Sequence, residues 1–202
     1  MRDPTGSSWR REAQPEHAAN KLLDAAEEAF IEQGVSAVGM AEIAEVAGCS
    51  RGTLYRYFGS RHELHLAYVQ REAMRIVRRV RSAITGLEDG PERSVEYVLQ
   101  TLRAVRSNPG TAAWFEPGAA GIAARMSRAS EVIETLAGAF GEPFGERGHA
   151  DDEALLRTRW LVRVIVSLLT DPEEDPARER ALVERFVAPA LLYDGALPSP
   201  RT

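Results

Sequence analysis

Lysine is almost missing from this 202-residue chain: Lys21 stands alone against 24 arginines. A bias of that size is the mark of GC-rich coding. Arginine is also the better reader of phosphates and bases, but most of these arginines lie far from any one motif. Cysteine is reduced to Cys49, which excludes an intrachain disulfide and any cysteine-cluster metal site. No apolar run approaches the roughly 18 residues that a membrane span needs. The opening residues 1–17 hold no apolar stretch that could act as a secretory signal. The expectation is a cytoplasmic protein with no membrane partner. No segment alternates polar and apolar residues between turn signals, so strands are not expected. Also missing are a nucleophile–base pairing, a phosphate-cradling glycine loop and a metal-ligand spacing. We therefore expect no enzyme, no catalytic residue, no metal and no cofactor. The run "HELH" is one residue short of the zinc-protease spacing, and His62 and His65 read as surface histidines near phosphate.

What is present is helical. The length suits one compact domain or two small ones, and 44% hydrophobic residues is ordinary for a globular chain. Residues 1–15 and 195–202 read as loose, polar tails. Leu22, Ala26 and Phe30, with Leu23 beside them, place a first helix over about 16–33, ended by Gly34. A short helix over 40–47 buries Ile43, Ala44 and Ala47, with Gly39 as its N-cap and Gly48 in the turn that follows. Ser50 caps a third helix over 51–58, and Ser60 caps a fourth that runs into the eighties. Beyond these, helices are expected over 91–106, briefly within 111–118, over 119–140, over 152–170 and over 176–192. "SNPG" at 107–110 and "GEPFGERGHADD" at 141–152 read as breaks. Domains follow as 16–62 and 63–194.

The formal charge is −5, so the chain is no general coat for nucleic acid. Yet "GCSRGTLYRYFGSR", residues 48–61, carries three arginines and no acid. Two short helices joined by a tight glycine turn, with a first helix behind them, describe a helix-turn-helix. On the third helix Leu54 and Phe58 point inward. Arg51, Thr53, Arg56 and Tyr57 are left to solvent, with Tyr55 at the edge. An arginine fork can grip guanine in the major groove, and a threonine methyl can meet that of thymine. Tyrosine hydroxyls reach phosphates. The fourth helix would offer N-terminal amides to another phosphate, with Arg61 and His62 beside them.

The stretch "GMAEIAEVAGCSRGTLYRYFGSRHEL" closely resembles the DNA-binding region of the tetracycline-repressor (TetR) family. The resemblance rests on Ile43-Ala44, Ala47-Gly48-Cys49-Ser50, Arg51, Gly52-Thr53-Leu54-Tyr55, Tyr57, Phe58 and Arg61, and covers about residues 18–70. It implies an all-α fold, with an N-terminal three-helix DNA-binding domain followed by a helical ligand-binding and dimerisation domain. It further implies a repressor that leaves a palindromic double-stranded operator when a small hydrophobic molecule binds. Gly39, Ser50, Arg51, Gly52, Thr53, Tyr55, Arg56, Tyr57, Arg61 and His62 would form the DNA surface. Gly39 departs from the family pattern, which commonly has a threonine there whose hydroxyl meets phosphate. That departure is the best support for the competing reading, an all-α interaction protein with weakened or lost DNA binding.

The last two helices carry apolar stripes wider than one buried face needs. Together with the resemblance, they point to a homodimer through Leu161, Ile165, Leu168, Leu182 and Phe186. For the small-molecule effector the candidate walls are Trp114, Phe115, Met126 and Trp160. Glu116, Arg103 and Arg125 are the charged residues nearest in sequence and would set the ligand's charge.

Overall fold

The computed structural model describes residues 9–127, 129 and 152–191. Among these there is no strand, and the fold is all-α as the periodicity requires. The helices are α1 (Trp9–Gln33), α2 (Met40–Val46), α3 (Arg51–Tyr57), α4 (Arg61–Ala83) and α5 (Pro91–Arg106). They continue with α6 (Pro109–Ala112), a 3₁₀ turn (Ala113–Phe115), α7 (Ala120–Met126) and α8 (Asp152–Thr170). The last run is α9 (Pro176–Leu182), a π turn (Val183–Val187) and α10 (Ala188–Leu191). No helix among the described residues is long and apolar enough to cross a membrane. The chain divides into two compact units, Met1–Tyr68 and Val69–Thr202, with the boundary inside α4.

In the first unit, α2 packs on α1 and α3 packs on α2. The expected stripe of Leu22, Leu23, Ala26 and Phe30 is buried, and Ile43, Ala44 and Leu54 close the same core. Gly34 ends α1 with φ +80°, its N–H bonded to the Phe30 carbonyl at 3.0 Å. Gly48 takes φ +63° in the turn between α2 and α3, a conformation that side chains rarely adopt. Two expectations shift. The helix α1 starts at Trp9, not Glu16, and runs through Pro15, whose ring costs a helix one backbone hydrogen bond but need not end it. Ala47 is only half-buried, since it is the C-cap of α2 rather than part of its inner face.

His65 is a clear correction. It is buried at 4% exposure, not on the surface, and its ring meets Phe30 edge-on with 5.4 Å between centroids. Phe30 also meets Tyr68 edge-on at 5.3 Å. His62 is exposed, so the two histidines do not share a face, and no cluster able to hold a metal exists among the described residues.

In the second unit, α5 packs against α8, the π turn and α10. Arg106 clamps three segments together. Its guanidinium donates to both oxygens of Glu179, at 2.9 and 2.7 Å, and to the Leu168 carbonyl at 2.9 Å. Arg180 donates to Glu96 at 2.7 Å and to Glu92 at 2.8 Å, and pairs with Glu184 at 2.8 Å. The last helix is not regular as expected. Pro189 has no N–H to give the Arg185 carbonyl, and its ring crowds that carbonyl. The helix widens just before it, and the Ala188 N–H reaches the Val183 carbonyl instead. Asn108 caps α6 by accepting from the Gly110 and Thr111 amides at 2.8 and 3.3 Å, so "SNPG" opens a short helix rather than only breaking the chain. The helix expected over 119–140 stops at Met126, capped by Ser127. The remainder of that helix, the loop at 141–151, residues 1–8 and the tail at 195–202 lie outside the described residues.

Burial, and then the charges of Arg61 and His62, push the His65 pKa from 6.5 down to about 4. The folded chain therefore binds its proton less readily than the unfolded chain. The stability that this neutral ring supports is complete above pH 6.5 and is lost as the pH falls toward 4. Over that window, urea unfolding should show a loss of about 3 kcal/mol, and His65→Phe should flatten it. An equal slope in both proteins would assign the acid sensitivity to other groups.

Candidate nucleic-acid interface

The third helix is held by its ends and its inner face. Ser50 Oγ accepts from the Thr53 amide at 3.1 Å and lies 2.9 Å from Thr53 Oγ1. Leu54 is fully buried and Phe58 is 7% exposed, as expected. The outward residues are Arg51, Gly52, Tyr55 and Arg56, with Thr53 and Tyr57 half-buried. The two tyrosines exchange their expected places: Tyr55 is 43% exposed, whereas Tyr57 lies partly under the Arg56 guanidinium, 5.7 Å from the ring centroid. That cation–π contact limits the freedom of Arg56 and so lowers the cost of ordering it on a partner. Thr53 keeps its hydroxyl against that of Ser50.

Gly52 stands out for what it does not need. Its φ is not positive, and an added Cβ would meet only Ser50 Oγ, at an ordinary 3.8 Å. Nothing inside the described chain requires glycine there, although a helix loses about 1 kcal/mol by it relative to alanine. An outward glycine on an exposed face lets a partner approach the backbone closely.

The flanking helix starts differ from expectation. Gly39 caps α2, but its N–H is taken by Glu42 Oε2 at 2.9 Å. Backbone N–H groups, its own first and then that of Gly39, hold the Glu42 carboxyl below the usual range. The amide at Gly39 is thus occupied within the chain. At α4, Ser60 Oγ accepts from the Glu63 amide at 3.1 Å, while Glu63 Oε2 accepts from the Gly59 amide at 3.1 Å. This Ser60-x-x-Glu63 arrangement, a variant of the capping box that reaches back to Gly59, takes the Glu63 amide, one of those expected to face phosphate. Arg61 also turns inward. Its Nη2 donates to the carbonyls of Val35 at 2.8 Å and Ser36 at 3.0 Å, tying the first turn of α4 to the loop between α1 and α2. His62 stays exposed beside it. The structure thus gathers Ser50, Arg51, Gly52, Thr53, Tyr55, Arg56 and Tyr57 on or against one helix, and leaves Gly39 and Arg61 committed elsewhere.

The second unit holds an apolar cavity of about 130 Å³, walled by Ile76, Val77, Tyr97, Val105, Phe115 and Ile165 among others. Among the described residues, no charged side chain lines it. Of the expected effector walls only Phe115 lines it. Trp114 and Met126 are packed in the core, and Trp160 is 36% exposed on α8. Glu116, Arg103 and Arg125 do not line it either. Helical spacing finds the buried face but cannot tell a filled core from a hollow one. The walls that sequence reasoning missed come from α4 and α5, where plain aliphatic residues carry no chemical signal. Of the expected dimer residues, Leu161, Ile165 and Leu168 are buried within the chain itself and Leu182 is half-buried. Phe186, at 71% exposure, and Leu156, at 56%, are open on the surface.

A seven-residue helix, capped and plugged on one side and basic and aromatic on the other, preceded by a tight turn and a supporting helix, defines a helix-turn-helix DNA-binding protein. Residues 22–68 match the family of bacterial regulatory proteins, tetR family. An HTH-type transcriptional regulator of Mycobacterium tuberculosis (strain ATCC 25618 / H37Rv) is 44% identical over 188 residues, covering 92% of this chain and 91% of that protein. The HTH-type transcriptional activator FasR of Mycolicibacterium smegmatis is 40% identical over 91 residues, covering 45% of this chain and 42% of FasR. The crystal structure of the TetR-family repressor AlkX from Dietzia aligns with a TM-score of 0.63 at 26% identity, over 86% of this chain and 94% of that one. The chain belongs to the TetR family and is an HTH-type transcriptional regulator.

Gly52→Ala separates an interface from a bare surface. The variant should be more stable by about 0.5–1 kcal/mol in urea, and yet bind DNA at least about tenfold more weakly. Gain of stability with unchanged DNA affinity would remove Gly52 from the interface.

Proposed function

We propose that the chain is a homodimeric repressor whose α3 reads a palindromic operator and which an apolar small molecule releases. The observation that carries this reading is the outward face of α3. Between Glu45 and Glu63 there is no acidic residue, and Arg51, Tyr55 and Arg56 are exposed on a chain that is acidic overall. Arg51, at the N-terminal end of α3, takes the base-reading role. Tyr55, with its hydroxyl in solvent, takes a phosphate. Arg61 acts as a positioning residue, since its Nη2 is bonded to the carbonyls of Val35 and Ser36. His62 is left for the backbone of the operator.

The described lining of the cavity carries no charge, which favours a neutral, apolar effector, because burying a charge without a partner is costly. The AlkX structure is described as implicated in biodegradation of n-alkanes, which is of the same chemical character. One helix, α4, contributes Ala73, Ile76 and Val77 to the cavity and carries Arg61 at its start. A ligand that prefers a displaced α4 acts through that helix on the loop that Arg61 holds. It can shift DNA affinity only by its own difference in affinity for the two states. For the dimer, the exposed Phe186, Leu156 and Trp160 replace the buried Leu161, Ile165 and Leu168 as contact residues. A protein of this kind works in the cytoplasm, where its operator is.

Selection from randomised duplex DNA tests the reading. It should return one sequence with twofold symmetry. Arg51→Ala should relax preference at one position per half-site by about 1–3 kcal/mol. Arg61→Ala should weaken all sequences alike and leave the salt slope unchanged, since no phosphate contact is removed. Recovery of no defined sequence would favour the interaction-protein reading.

A further inference from the structure

A second hollow lies between α4 and α5, and its chemistry is opposite to that of the apolar cavity. Its volume is about 210 Å³. Arg79, Gln100, Arg103 and Ser107 form its walls, and Val80 and Ala104, both buried, form its floor. Among the described residues, no carboxylate lines it.

The nearest acid in the bonding network is Glu96, and it is already engaged. Its Oε1 accepts from Arg180 at 2.7 Å and its Oε2 from Gln100 at 3.2 Å. Arg103 Nη1 stands 3.9 Å from that Oε2, beyond hydrogen-bond reach. Arg79 makes one long contact, Nη1 to Ser107 Oγ at 3.4 Å, while that hydroxyl lies 3.2 Å from the Ala104 carbonyl. A guanidinium has five N–H donors. Two of them face one hollow with most donors unspent, beside an amide and a hydroxyl. Placing Arg103 in the last turn of α5 suits the negative end of the helix dipole. The dipole does not explain Arg79, which comes from a different helix. Two like charges held on one hollow repel each other unless an anion sits between them.

We propose that this cleft binds a small, doubly charged oxyanion of the phosphate type, separately from the apolar effector. Its forked donors match a phosphate, and the space is several times the roughly 30 Å³ that one water occupies. Because Arg79 belongs to α4 and Arg103 to α5, the bound anion ties together two helices that also wall the apolar cavity. The site thereby provides a second input on α4. It stands apart from the operator reading, and its test needs no DNA.

Isothermal calorimetry on the full chain, at fixed ionic strength set with chloride, gives the answer. The probes are inorganic phosphate and ribose 5-phosphate. The expected result is saturable binding of one phosphate per chain. Arg103→Gln should weaken it at least about tenfold, and Arg79→Gln with Arg103→Gln should abolish it. Tighter binding of the sugar phosphate would assign the site to a phosphorylated metabolite, and equal binding to free phosphate. Far-UV circular dichroism establishes that the variants fold, and Arg103, exposed on its helix, can be replaced alone if the double variant does not. No saturable heat up to about 10 mM, or affinity unchanged in a folded variant, would overturn the proposal.

Discussion

Seven residues of α-helix make too few hydrogen bonds to hold themselves in water. The helix α3 exists because Leu54 and Phe58 are driven into the core of the first unit and because Ser50 accepts the Thr53 amide. That one constraint divides its surface. Whatever lies on the Leu54 side is consumed by folding, and what lies opposite is free for a partner. Burying two large apolar side chains contributes about 3–6 kcal/mol before the entropy of ordering is deducted. The supporting residues, from Phe30 to Gly48, serve to keep a pocket for those two side chains. A helix anchored in this way can carry three residues of no folding value, Arg51, Gly52 and Arg56, on its outer face.

The second unit is held by a different means. Its helices are joined by arginine–carboxylate forks as well as by apolar packing, above all Arg106 on Glu179 and the Leu168 carbonyl. Forks have fixed geometry, so they favour a small number of discrete arrangements over continuous deformation. A unit built so can switch between packings when a hollow between its helices is filled. The π turn ahead of Pro189 falls beside the exposed Phe186, so the irregular part of the helix and its largest open side chain coincide.

The spacing of Leu22, Ala26 and Phe30, the glycines at 34 and 48, and the cap at Ser50 could be read from the residues, because each acts on its immediate neighbours in sequence. The whole helix-turn-helix was legible for that reason. Side-chain direction was not. Arg61 stands at the start of α4, where a basic residue suggests phosphate. Its long stem instead reaches carbonyls 25 and 26 residues back in the chain, a fact with no local signature. His65 was read as a surface histidine near phosphate, whereas its ring packs against Phe30 in the core, a contact across 35 residues of sequence. The apolar cavity was missed for a related reason. A hollow is a property of how helices meet, and Val77, Val105 and Ile165 look the same in sequence whether or not space remains between them. Leu161, Ile165 and Leu168 were assigned to a dimer because a wide apolar stripe does not say which part the chain itself will cover.

The central claim is that α3 is the surface that meets DNA. Amide hydrogen exchange of the full chain, with and without its selected operator, measures this directly. The account predicts slowed exchange from Ser50 to Tyr57, with a weaker effect at His62 and little change at Gly39, whose amide is already bonded to Glu42. Protection elsewhere in the chain with α3 unchanged would contradict it.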